Sequence, residues 1–154
     1  MEFVDSQKKQ LDYGQILHAY HANIAHKDAK VKDFTVWMTT LAATLGESNM
    51  QGAVVGNTVF YYRRGKGEKA GMVMLWALNV DTMQNAVNNF AEMTNRLANE
   101  GVNTVVSVYD TPAMSRIIRQ AYRQHKSEGD ELTITKTPSG KYVMQFTMGG
   151  DDNV

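Results

Sequence analysis

Apolar residues recur along this chain with two different periods, and the switches between them outline its elements. From Leu11 to about His26, the residues Leu11, Ile16, Leu17, Tyr20 and Ile24 fall at helical spacing and predict a helix. A charged connector, Lys27 to Lys32, follows it. Phe34, Trp37, Met38, Leu41 and Leu45 then mark a cleaner amphipathic helix, which Gly46 is expected to close. Beyond that helix the period drops to two. Ala53-Val54-Val55, the pair Gly56-Asn57 and Thr58 to Tyr62 predict a strand, a tight turn and a strand. Arg63 to Lys69 is a charged loop with two glycines. Met72 to Leu78 is apolar on both faces, the mark of a central strand.

The second half repeats the alternation. Asp81 or Thr82 stands where a helix cap is needed, and Met83, Ala86, Val87, Phe90, Met93 and Leu97 lie along one side of the helix that follows. Gly101 comes after its end. Val102 to Tyr109 predicts another buried strand. Asp110-Thr111-Pro112 starts a further helix, with proline in the first turn where its missing N–H does no harm. Ala113, Ile117, Ile118 and Ala121 supply the apolar face of that helix. Finally, Leu132 to Thr135 and Tyr142 to Met148 flank Pro138-Ser139-Gly140 as a hairpin, with Tyr142, Met144, Phe146 and Met148 on one face. No repeat or long linker divides the chain, so residues 1–154 are expected to form one domain of the α/β (α+β) class.

This order of elements is two helices, an antiparallel meander, a helix, a strand, a helix and a C-terminal hairpin. It resembles the GNAT N-acetyltransferase fold, a mixed sheet flanked by about four helices, with Glu2 to Asp5 supplying the first strand. The resemblance implies an acetyl-CoA site at the turn after the central strand. In the family, Gln/Arg-x-x-Gly-x-Gly/Ala lets backbone amides at a helix N-terminus hold the pyrophosphate, and glycine permits the close approach. The corresponding stretch here, Asn79-Val80-Asp81-Thr82-Met83-Gln84-Asn85-Ala86, has no glycine and sets Asp81 where the pyrophosphate would lie. A carboxylate there already satisfies the helix dipole and repels a second anion.

The resemblance also implies a tyrosine acid in the penultimate helix, in a pattern like Asn-x-x-Ala-x-x-x-Tyr-x-x-x-Gly-Phe. With Asp110 and Ala113 on the first two positions, Ile117 stands at the tyrosine, and Ala121-Tyr122 replaces Gly-Phe. An aliphatic side chain cannot protonate a departing thiolate. No catalytic residue and no cofactor are therefore assigned. Such small acetyltransferase-like proteins resemble virion-associated proteins of tailed bacteriophages. That likeness implies a non-catalytic structural role, other protein subunits as partners and a place in a virion or the host cytoplasm. Docking would use an exposed sheet edge, the basic loop and the chain ends. The alternatives are a divergent acyl-CoA-dependent N-acetyltransferase and a nucleic-acid-associated phage protein.

Charge sharpens the last alternative. Lysine plus arginine number 16, and so do aspartate plus glutamate, so contact with nucleic acid needs a local basic patch rather than a global field. Two segments qualify as partner or phosphate contacts. Arg63, Arg64, Lys66 and Lys69 lie beside Tyr61 and Tyr62. Arg116, Arg119 and Arg123, with Gln124, His125 and Lys126, make the helix that starts at Pro112 basic along one side. The absence of cysteine excludes disulfides and thiolate chemistry, and fits a reducing compartment. His18 and His21 share a helix spacing, but no nearby glutamate or cysteine completes a metal set, so no metal is assigned. Glu47 and Glu92 are general-base candidates by elimination alone. Ten methionines suit either an irregular core or a partner surface, and their place on apolar faces favours the core. No secretory leader is read at the start, and the longest apolar run, Gly71 to Leu78, is too short to span a bilayer.

Overall fold

Aspartates open the first two helices. Asp12 accepts a hydrogen bond from the Gln15 N–H at 2.9 Å at the start of α1 (Tyr13–Ala25). Asp33 does the same for Val36, also at 2.9 Å, before α2 (Phe34–Leu45). Each satisfies an amide that the helix itself leaves unpaired. The computed structural model describes residues 2–27, 29–78 and 81–149. After the two helices come β1 (Gln51–Val55), β2 (Thr58–Arg64), a short 3-10 turn at Gly67–Lys69 and β3 (Met72–Ala77). There follow α3 (Met83–Asn99), β4 (Thr104–Tyr109), α4 (Pro112–His125), β5 (Glu131–Lys136) and β6 (Tyr142–Thr147). The strands form one six-stranded sheet in the order β1-β2-β3-β4-β6-β5. It is mixed: β3 and β4 run parallel, whereas β1·β2, β4·β6 and β5·β6 are antiparallel. The α/β class, the central place of β3 and the terminal hairpin are as the sequence predicts.

The N-terminal strand is not. Glu2 to Asp5 contributes only an isolated bridge between Val4 and Gln10. The cause is Asp5, whose carboxylate accepts from the Gln7 and Lys9 amides at 2.9 and 3.0 Å and bends the chain into a loop. Its other oxygen accepts from the Gly52 amide at 3.1 Å, tying that loop to β1. Gly46 closes α2, but with φ of −78°, in the right-handed region that any residue adopts. Met83 is exposed instead of joining the apolar side of α3. At the turn between β1 and β2, Gly56 has φ of +57°, and a side chain there would strike Asn89, so glycine is required.

The chain packs as two compact units, Met1–Arg63 with Trp76–Asn89, and Arg64–Leu75 with Phe90–Val154. In the first, Phe3, Leu11, Ile16, Tyr20, Trp37, Met38, Leu41, Leu45 and Val59 form a buried cluster. Fully burying each large apolar side chain is worth roughly 1.5–3 kcal/mol. The Tyr20 ring packs edge-on against Phe34 and Trp37 while its hydroxyl donates to the Lys32 carbonyl at 2.6 Å. In the second unit, the buried apolar residues include Val73, Leu75, Met93, Leu97, Val105, Ile118 and Met144. A polar clasp holds its C-terminal end: Asp130 accepts from the Ser127 and Gly149 amides, both at 2.8 Å. Of the methionines, Met38, Met50, Met93 and Met144 are buried, whereas Met83 is exposed and Met72, Met74, Met114 and Met148 are half-buried.

Candidate functional site

Three places bear on chemistry, and the first is the start of α3. Asn79 and Val80 lie outside the described residues, so the turn begins at Asp81. Asp81 Oδ1 accepts from the Thr82 amide at 2.7 Å and from Asn85 Nδ2 at 3.3 Å. Thr82 Oγ1 accepts from the Asn85 amide at 3.4 Å. Asp81 Oδ2 is buried and makes no hydrogen bond among the described residues. The helix thus carries its own anion at the end where the positive pole of its dipole points. An incoming phosphate would meet that carboxylate, and the repulsion grows as water is excluded.

The second place is the C-terminal end of β4. The parallel ladder of β3 and β4 runs from Met72↔Thr104 to Met74↔Val106. The next carbonyl, that of Leu75, accepts instead from the Ser107 hydroxyl at 2.8 Å. Farther along β4, Tyr109 stacks on Tyr142 of β6, with ring centroids 5.4 Å apart. The Tyr109 hydroxyl lies 2.7 Å from that of Ser115, a residue of α4 that is only 4% exposed. Burial pushes the Tyr109 phenol above its ordinary pKa, opposed by the Ser115 hydrogen bond and by the Arg119 guanidinium. Ile117 is half-buried on α4, so the helix offers no phenol at the position the family likeness marks. Tyr122 is engaged elsewhere, its hydroxyl donating to the Asp130 carbonyl at 2.9 Å. Sequence reasoning missed the Tyr109–Ser115 pair. Its signal was a tyrosine ending a strand and a serine in the first turn of a proline-started helix.

The third place is the pair of basic segments. Arg63 donates to Glu47 Oε1 at 2.6 Å and to the Ser48 carbonyl at 3.2 Å, with its guanidinium 5.9 Å from the centre of the Trp76 ring. Arg64 donates to the carboxylate of Glu100 at 2.9 Å and to its backbone carbonyl at 3.3 Å, just past the end of α3. Lys66 and Lys69 are exposed, with the acid Glu68 between them. On α4, Arg116, Arg119 and Arg123 are all exposed, and none of the ion pairs among the described residues involves them. The structure therefore separates residues that the sequence grouped together. The general-base candidates are also engaged: Glu47 pairs with Arg63, and Glu92 with Arg96 at 3.0 Å one turn along α3. Among the described residues no group of three histidines or carboxylates is placed to hold a metal, His18 and His21 included. No helix among them is long and apolar enough to cross a membrane.

No family model matches the sequence, and no curated protein matches it either. Solved structures do. The aminoglycoside N-acetyltransferase AAC(6')-Ib11 superposes with a TM-score of 0.53 at 14% identity, over 91% of this chain and 94% of that one. The aminoglycoside acetyltransferase AAC(6')-Ib, solved with coenzyme A and kanamycin, gives a TM-score of 0.50 at 14% identity, over 91% of this chain and 92% of that one. At such identity the likeness is one of fold: the architecture is that of the GNAT acetyltransferases. The virion association expected from the sequence gains no support from these structures.

Proposed function

We propose that this chain is a GNAT-fold domain that works by binding other macromolecules, without using acetyl-CoA. One observation carries this reading. At the helix start where the fold would receive a pyrophosphate, the Asp81 carboxylate accepts from the Thr82 amide just before the helix and from the Asn85 side chain within it, and the Thr82 hydroxyl takes the Asn85 amide. A donor nucleotide would have to displace that carboxylate and would meet no glycine turn on arrival. Thermal unfolding with and without millimolar acetyl-CoA tests it. A ligand present at 100 times its dissociation constant adds about 2.7 kcal/mol, visible as a shift of several degrees. The expected result is no shift, and a clear shift overturns the reading.

A second reading, a divergent acyltransferase, is favoured by Tyr109. Its half-buried phenol, pushed up in pKa and 2.7 Å from Ser115, is a protonated hydroxyl beside α4, the helix that lacks the family's tyrosine. A general acid needs to hold its proton at the working pH. This reading requires an acetyl-CoA shift together with acetyl transfer that Tyr109→Phe abolishes. Without the shift it fails.

A further inference from the structure

We infer that the exposed face of α4 is a docking surface for the phosphate backbone of a nucleic acid. This rests on the reading of the chain as a binding domain and names the class of partner.

The sequence places Arg116, Arg119 and Arg123 at intervals of three and four residues, which brings them onto one side of a helix. At about 1.5 Å rise per residue, successive guanidinium groups start about 4.5 and 6 Å apart along the axis. All three are exposed, and α4 contains no acidic residue from Pro112 to His125. The opposite face carries Ser115, Ile118 and Ala121 into the interior, so the arginines have no part in holding the helix down. Lys126, at the helix end, extends the row with its ammonium 5.5 Å from the centre of the Tyr122 ring. α4 packs against β5, where Lys136 adds a cation held 5.8 Å from the centre of the Tyr142 ring.

Acids near α4 leave this row intact. Asp110 precedes the helix, and Glu128, Asp130 and Glu131 follow it. Both carboxylate oxygens of Asp130 are held by backbone amides. In a chain whose formal net charge is zero, a helix whose charged residues are all cations on its exposed side is a local departure that folding does not require. Its chemistry suits regularly spaced phosphates. Guanidinium forks bind phosphate oxygens bidentately, and a row repeating every 4.5–6 Å or so matches a polymer of charges better than a single anion. Such contacts position a backbone and carry no sequence information.

The experiment is fluorescence anisotropy of a labelled 20-base-pair DNA duplex with the full chain, between about 50 and 200 mM salt. Three phosphate contacts predict a log–log slope near −2.7 and about a 40-fold loss of affinity across that range. The variant R116Q/R119Q/R123Q should flatten the slope by about 2.7, and the corresponding Arg→Lys variant should retain it. The ion-paired arginines should matter little, so R63Q/R64Q should leave the slope in place. If the triple Gln variant fails to fold, the single Arg→Gln variants carry the same test, each flattening the slope by about 0.9. Three results overturn the inference: no duplex binding at 50 mM salt or so, loss of binding with R63Q/R64Q in place of the α4 variant, or poly-glutamate displacing the duplex at equal charge. The last would assign the face to an acidic protein. None of these outcomes alters the acetyl-CoA result, so the two readings fail separately.

Discussion

The two basic segments look alike in sequence and differ in structure. Arg63 and Arg64 end β2 with their guanidinium groups already matched, to Glu47 and the Ser48 carbonyl in one case and to Glu100 in the other. Arg116, Arg119 and Arg123 stand on α4 with no acid on their own helix and no ion pair among the described residues. A tally of cations would rank the first segment higher because two tyrosines and two lysines adjoin it. What decides availability is the position of the acids. Those that engage Arg63 and Arg64 lie 16 and 36 residues away in the chain, and the fold brings them in. On α4 the separation of duties is local, with apolar residues inward and arginines outward. The cations are free because nothing in the packing needs them.

The largest effect that sharpens this contrast is on stability. Ile118, 1% exposed on the inner face of α4, should cost about 2–5 kcal/mol as Ile118→Ala, read by denaturant unfolding. Each Arg→Gln change on the outer face should stay within about 0.5 kcal/mol. An arginine variant as damaging as Ile118→Ala would mean that the row is structural, and would remove the ground for a docking surface. Gly65 tests the other segment. A side chain there would strike the backbone of Lys69, across the loop that joins β2 to β3. Gly65→Ala should therefore destabilise by about 1–3 kcal/mol while leaving the salt slope of duplex binding unchanged.

Much of this was legible in the chain. Periods of two and of three to four residues located the helices and strands, because most elements bury one face or both. The absence of glycine around Asp81 was also visible, and with it the doubt about a donor nucleotide. The clasp at Asp5 was not. It depends on a carboxylate reaching the Gly52 amide 47 residues on, and a short apolar stretch beside it imitates a strand. The Tyr109–Ser115 pair was hidden for a related reason, since it forms where a strand and a helix meet. Free and engaged arginines could be told apart only on α4, where the helix itself holds no acid.

Smaller effects come from releasing the engaged arginines. Glu47→Gln and Glu100→Gln each remove one exposed ion pair, so each should cost no more than about 1 kcal/mol. Their use lies in binding. If acids alone silence Arg63 and Arg64, the double variant should steepen the salt slope of duplex binding by up to about 1.8, two further phosphate contacts. An unchanged slope would mean that the backbone carbonyls and the Trp76 ring hold these arginines without the carboxylates.

The smallest effect is a matter of sign, read in two phenols. Tyr61 lies beside the first segment and Tyr109 beside the second, and both are raised above the ordinary value of 10.0. Burial is the main cause in each. For Tyr61 the Glu47 carboxylate adds to the rise, whereas for Tyr109 the Ser115 hydrogen bond and the Arg119 guanidinium work against it. Between 10.0 and the raised folded values, the unfolded chain gives up phenolic protons that the folded chain still holds. The unfolded state then binds fewer protons, so stability falls as pH rises from the unfolded value through the folded ones. Tyr61→Phe and Tyr109→Phe should each flatten that decline. The neighbouring charges give the finer test, by tyrosinate absorbance during alkaline titration. Glu47→Gln removes an anion and should lower the Tyr61 transition, whereas Arg119→Gln removes a cation and should raise that of Tyr109. Movement in the same direction would mean that the two regions do not differ in the charge that governs them.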